Sequence, residues 1–210
     1  MISAEAGQKQ KQGRHRRWEI TVCAQFYVDE ETERELRALV GSVKSLRRGT
    51  VRPSERAAVL TGGKERYAVR DMTWGIPRPA GKGLVINARS ETMAEKPLFR
   101  ESSLYRRCAV PAGGFMEWDE QKAKVTFSDP QQPVLFLAGI FDLTMQEPRF
   151  VVLTREANES VARYHDRMPL LLSRDELHCW LTPGEEFKRC LRAEMPVLRA
   201  WQEVEQLSLF

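Results

Sequence analysis

Three side chains able to move protons or hold a polar ligand each sit in a short, largely apolar block. Asn87 lies in Ile86-Asn87-Ala88-Arg89-Ser90-Glu91-Thr92. Glu117 closes Arg107-Cys108-Ala109-Val110-Pro111-Ala112-Gly113-Gly114-Phe115-Met116-Glu117-Trp118. His165 opens His165-Asp166-Arg167-Met168-Pro169, and Trp74-Gly75-Ile76-Pro77 precedes them all. An asparagine amide both donates and accepts, which suits a sugar or an amine. Arg89, two residues further along a strand, shares the face of Asn87 and suits a phosphate. Between Met116 and Trp118 an apolar setting would raise the pKa of Glu117, making it an acid or base near neutrality. Histidine is the side chain best placed to exchange protons at pH 7. Small residues around these blocks would let a ligand approach closely. Glu91 reads as structural, and Asp166 with Arg167 as an ion pair holding the His165 loop.

Strands and turns must position these groups. The segment 18–28 alternates as a strand. Asp29 is a good N-cap for a helix carrying Leu36, Leu39, Val40 and Val43 at helical spacing. A short strand over 57–60, a turn at Gly62-Gly63-Lys64 and a strand over 67–74 follow. Pro77, Pro79, Gly81 and Gly83 make a loop. Strands are expected over 84–87, 108–111, 114–118, 123–127, 134–141 and 149–154, with helices over 96–101, 160–164, 174–181 and 185–193. Many strands, short helices and no βαβ rhythm predict an α+β fold: a mostly antiparallel sheet or barrel with short flanking helices.

The 210 residues suit one sizeable domain with a real core. A net charge of +4 permits a nucleic-acid partner. Cys23, Cys108, Cys179 and Cys190 lack metal-ligand spacing, so neither a metal nor a cofactor is expected. The longest apolar run, 134–141, is far too short to span a bilayer. The expectation is a monomeric cytoplasmic protein with reduced thiols and no membrane partner.

The order of the four blocks, within roughly residues 20–195, resembles the SRAP family, the SOS-response-associated peptidases that act as sensors of abasic sites in single-stranded DNA. Family members begin Met-Cys-Gly-Arg-Phe/Tyr, and here Val22-Cys23-Ala24-Gln25-Phe26 stands in that place. The resemblance implies that Cys23, once first in its chain, is a 1,2-aminothiol. Its amine would condense with the open-chain aldehyde of an abasic deoxyribose and its thiol would close a thiazolidine. An α-amino group titrates near about 7.7–8.0, so part of it is nucleophilic at pH 7. The resemblance further implies catalytic roles for Asn87, Glu117 and His165, the last in opening the sugar. It implies DNA contacts for Arg89, Gln25, Pro53 and Trp74, Trp74 by stacking on a base. The chain departs from the family pattern at Ala24, at Gln25 in place of an arginine, and at Ser54-Glu55 in place of Thr-Asn after Pro53. Glu55 would repel a phosphate.

As written, Cys23 is internal. Three readings stay open: a start at position 22 that restores Met-Cys, proteolytic removal of the preceding residues, or loss of crosslinking with DNA binding kept. The leading function is a crosslinking sensor of abasic sites in the DNA damage response, located at the nucleoid on damage. The alternative is a non-covalent single-strand binder. A cysteine peptidase using Cys23 and His165 is a third reading. Residues 1–19 read as a basic disordered tail, 20–200 as the domain and 201–210 as a second tail. In that tail Gln206, Leu207, Leu209 and Phe210 match the peptide by which bacterial repair proteins grip the replication sliding clamp.

Overall fold

The computed structural model describes residues 23–43, 46–62, 67–119 and 121–202. The expected N-terminal tail and the clamp peptide at Gln206–Phe210 lie outside them, as do Gly63 and Lys64 of the expected turn.

Strand β1 (Gln25–Val28) buries Phe26 and Val28 at alternate positions. Asp29 then starts α1 (Glu30–Val40). Its carboxylate accepts the Thr32 N–H at 2.9 Å, and the Thr32 hydroxyl completes a capping box, worth about 1 kcal/mol. Gly41, at φ +80°, ends the helix. Next come β2 (Gly49–Val51), β3 (Arg56–Gly62), β4 (Tyr67–Trp74), β5 (Ile76–Pro77), β6 (Leu84–Val85) and β7 (Asn87–Arg89). The expected strand over 84–87 is therefore split. Leu84 and Val85 pair back on β5, whereas Asn87 crosses to pair with Val152, much later in the chain. Helix α2 (Arg100–Tyr105) begins later than expected, because Pro97 lacks an N–H and disfavours helical backbone at Lys96. The chain continues through β8 (Arg107–Ala112), β9 (Gly114–Trp118), β10 (Lys124–Ser128), β11 (Leu135–Asp142) and β12 (Arg149–Glu156). It ends with α3 (Glu159–Ala162), β13 (Arg167–Pro169), β14 (Leu171–Leu172), α4 (Glu176–Leu181), a 3-10 helix (Glu186–Arg192) and β15 (Arg199–Gln202).

Among the described residues, one five-stranded sheet runs β15-β10-β9-β1-β2, all antiparallel. A second, eight-stranded sheet runs β13-β12-β4-β3-β8-β11-β14 with β7 on β12. Because β12 pairs both β4 and β11, the strands β4, β3, β8, β11 and β12 close a ring. The mixed α+β class and the barrel-like closure expected from the sequence are present.

Alternate residues of the ring strands feed two cores. Cys108, Val110, Leu137, Phe150 and Val152 meet Phe26, Phe115 and Phe127 of the first sheet. Ala109, Ala138, Val151 and Leu153 meet Leu36, Leu177, Trp180 and Phe187 of the helical layer. Both faces of the second sheet are thus buried. Among the described residues no helix is long and apolar enough to cross a membrane.

Candidate functional site

Cys23 and Glu117, 94 positions apart, are in direct contact. Strand pairing sets this up. Gln25 lies opposite Met116 and Phe26 opposite Phe115, so the residues just before β1 reach the end of β9 where Glu117 stands. The backbone N–H of Cys23 donates to Glu117 Oε1. Both residues are essentially closed to solvent, at 0% and 1% exposure. Cys23 has φ +49°, a left-handed conformation that costs a non-glycine residue roughly 1–2 kcal/mol. A group held in such a conformation is over-determined by its surroundings. Burial drives the Glu117 carboxyl up to about 8, against a smaller opposing pull from the Cys23 N–H. Burial first, and the nearby Glu117 second, push the Cys23 thiol well above its ordinary value. At neutral pH the site therefore holds a carboxylic acid and a thiol beside one nitrogen atom.

The other two blocks converge on the same core. Asn87, Ala88 and Arg89 lie parallel to Val152, Leu153 and Thr154. Asn87 and Arg89 thus share the register of Val152 and Thr154, one face apart from the buried Ala88. Ile86, immediately before Asn87, packs in the inter-sheet core that holds Cys23, and so do Val161 and Met168, which flank His165. Arg89 is exposed, as a phosphate ligand must be. The His165 side chain is 9% exposed, and its Nδ1 accepts the Arg167 N–H at 3.0 Å.

Several expectations need correction. Trp74 is fully buried, stacked on Phe150 at 6.2 Å between ring centroids and tilted against Phe26 at 5.1 Å. No face of it is offered to a base. Its Nε1–H instead donates to the Ile86 carbonyl at 3.0 Å, which holds the chain next to Asn87. Trp74→Ala is expected to cost about 3–5 kcal/mol in urea unfolding. A loss below about 1 kcal/mol would contradict this packing role.

The glycines of the 107–118 block do not leave room for a ligand. A Cβ at Gly113 would meet the Tyr27 ring at 2.4 Å and Asp29 at 2.5 Å, and one at Gly114 would meet the Phe127 carbonyl at 2.4 Å. The close approach is made by the chain itself. The expected Asp166–Arg167 ion pair is replaced by two contacts. Asp166 Oδ1 lies 2.9 Å from His165 Nδ1, and Arg167 pairs with Glu91. Gln25 is half-buried on β1 opposite Met116, and Pro53 is half-buried in the turn after β2. The charge of Glu55 is not bare: it accepts the Arg52 N–H at 2.7 Å and the Arg47 guanidinium at 2.9 Å. These hydrogen bonds outweigh its slight desolvation and hold its carboxyl below the ordinary range. Neither the Arg47–Glu55 nor the Glu91–Arg167 pairing has a sequence signal, since each joins residues that local periodicity does not bring together.

The family model of the SOS response associated peptidase (SRAP) matches residues 22–207. The chain belongs to the SRAP family. Within the SRAP family it is 31% identical over 147 residues to the abasic site processing protein YoaM of Bacillus subtilis, covering 63% of this chain and 65% of that protein. It is 28% identical over 143 residues to the abasic site processing protein YedK of Escherichia coli, covering 64% of each chain. It is 33% identical over 129 residues to the abasic site processing protein HMCES of Xenopus tropicalis, covering 47% of this chain and 38% of that one. The alignments thus span just under two thirds of the two bacterial relatives and well under half of the vertebrate one. Among solved structures, a protein from Bordetella bronchiseptica shares the SRAP chain's fold with a TM-score of 0.71 at 20% identity, over 86% of this chain and 99% of that one. A phage-related protein from the same organism gives a TM-score of 0.71 at 22% identity, over 88% and 95%.

Proposed function

We propose that this SRAP protein processes abasic sites in single-stranded DNA by attaching covalently to them through Cys23. The observation that carries the reading is the Cys23 nitrogen held against the Glu117 carboxyl, out of water. The relatives named as abasic site processing proteins support the choice of substrate.

The chemistry balances with these groups alone. The nitrogen of a cysteine that begins its chain adds to C1′ of the open-chain sugar, and the carbonyl oxygen becomes a hydroxyl. Glu117, in its acid form, gives that hydroxyl a proton. Water leaves and a C=N bond forms. Sγ of Cys23 then adds to the same carbon, and the S–H proton passes to the Glu117 carboxylate. Aldehyde plus aminothiol gives thiazolidine plus one water. His165, with its proton on Nε2, serves the ring oxygen as the furanose opens. Asn87 holds the sugar and Arg89 a flanking phosphate.

The reading requires an amine at Cys23. An amide nitrogen is not nucleophilic, because its lone pair is delocalised into the carbonyl. The intact mass of protein expressed from its native gene, read beside a denaturing gel with an abasic oligonucleotide, tests it. A shifted band is expected only for chains that begin at Cys23. A correctly folded Cys23-first chain with no band would overturn the reading in favour of non-covalent binding. A stable band from chains with an intact Met1 would overturn the amine route.

The peptide Gln206-Leu207-Ser208-Leu209-Phe210 serves in this reading as a tether to the sliding clamp, raising the local concentration where replication exposes single strands. Deleting it is expected to abolish clamp binding of about micromolar strength in calorimetry and leave attachment unchanged. A melting temperature lowered by the deletion, with no clamp binding by the intact chain, would place the peptide in the core instead.

A further inference from the structure

The Asn87 segment and the His165 loop are fastened together by a charge pair that the chemistry above does not use. Arg167 donates from Nη1 to Glu91 Oε1 at 2.7 Å and from Nη2 to Glu91 Oε2 at 2.8 Å, a bidentate fork. The same Nη2 lies 2.6 Å from the Thr154 carbonyl oxygen. That carbonyl also accepts the Ser90 N–H at 2.9 Å. The exit of β7, the middle of β12 and the start of β13 therefore meet at one point.

The backbone N–H of Arg167 donates to His165 Nδ1 at 3.0 Å. A nitrogen that accepts carries no proton, so the neutral ring keeps its proton on Nε2. Asp166 Oδ1, 2.9 Å from the same Nδ1, is on a side chain 75% exposed. It competes for Nδ1 only when that nitrogen is protonated. The other charged groups on these strands are Arg89 and Glu156, both exposed, Arg155, whose Nη1 is turned to the Ala193 carbonyl, and Arg149 at the far end of β12, which pairs with Glu147 and donates to the Gly75 carbonyl. Burial of Glu91 works against its ionisation, but the Arg167 hydrogen bonds outweigh burial and hold its carboxyl below the usual range. The pair is charged throughout the neutral range.

We infer that Glu91 and Arg167 are positioning residues for His165: their ion pair holds the loop so that Nδ1 stays bonded to the chain and protons are exchanged through Nε2. Only the kinetic readout of this inference rests on the attachment reaction proposed above. The rival reading makes Arg167 a phosphate ligand.

The test uses Glu91→Gln, Arg167→Ala and the double swap Glu91→Arg with Arg167→Glu. With three histidines in the chain, the ring nitrogens of His165 are separable by ¹⁵N NMR. The wild type is expected to show the Nε2–H form and both single variants a mixture of forms. Attachment to abasic DNA should slow about tenfold or more in the single variants, as expected for a displaced proton-transfer group. Affinity for undamaged single strands should stay unchanged, and the swap should restore both the ring and the rate. A wild-type proton on Nδ1 overturns the inference. So does a swap that rescues nothing while Arg167→Ala weakens DNA binding, which makes Arg167 the phosphate ligand. If the wild type does not attach to abasic DNA at all, the proposed reaction falls, and the ring measurement still decides this inference.

Discussion

Cys23→Ala, in the chain that begins at position 23, is expected to reduce the heat-stable adduct with abasic single-stranded DNA to background. The reason is a division of labour within one residue. In the proposed reaction the α-amine forms the imine, and Sγ closes it to a thiazolidine. Alanine keeps the amine and loses only the ring closure. The variant should therefore still be trapped on abasic DNA by borohydride while giving no band that survives heating. Cys108→Ala is the control. Cys108 is also fully buried and its thiol is also driven up by burial, but it packs in β8 against β3 and β11. It should leave the adduct intact. A heat-stable band from Cys23→Ala would sink the thiazolidine.

Glu117→Gln is expected to slow attachment by about 10²–10⁴-fold, the usual contribution of a positioned acid or base. It should at the same time stabilise the fold at alkaline pH. The sign follows from the direction of the shift. A carboxyl driven from 4.5 to about 8 by burial binds its proton more tightly in the folded chain than in the unfolded one. Stability then falls as pH rises from about 4.5 through about 8, and above that window the full cost of a buried carboxylate is present. The shift corresponds to on the order of 5 kcal/mol, or roughly 10–20 °C in melting temperature for a chain of this size. Glutamine has no charge to bury. Melts at pH 5 and pH 9 should show a large pH effect in the wild type and a small one in Glu117→Gln. An ammonium at Cys23 would shrink the wild-type effect, because it favours the Glu117 carboxylate. Equal pH dependence in both proteins, with unchanged attachment, would remove Glu117 from the proposed chemistry.

The candidate site residues stand out in the sequence because their types are rare in such settings. A glutamate between Met116 and Trp118, or a histidine opening an Asp-Arg-Met-Pro turn, stands out in one dimension. Element types were legible for the same local reason. Asp29 caps α1 through its own side chain, and continuous apolar runs mark β11 and β12, whose residues are buried on both faces. Trp74 misled because a tryptophan beside a proline reads alike whether its ring meets a base or a phenylalanine. Only the partners decide, and Phe26 and Phe150 come from strands far apart in sequence. The glycines at 113 and 114 misled similarly, since the space they free is claimed by Tyr27 from another strand of the sheet.

By itself, then, the sequence determined which groups could do chemistry, the order in which they occur and the strands that carry them, because side-chain type and periodicity are local properties. The tertiary structure decided what those groups are next to. It placed the Cys23 nitrogen on Glu117 across 94 residues. It gave Arg167 to Glu91 rather than to Asp166 across 76 residues. It closed the site from water, and that burial turns an ordinary glutamate into an acid at neutral pH. Desolvation and long-range pairing depend on the whole packed chain, so no window of the sequence contains them.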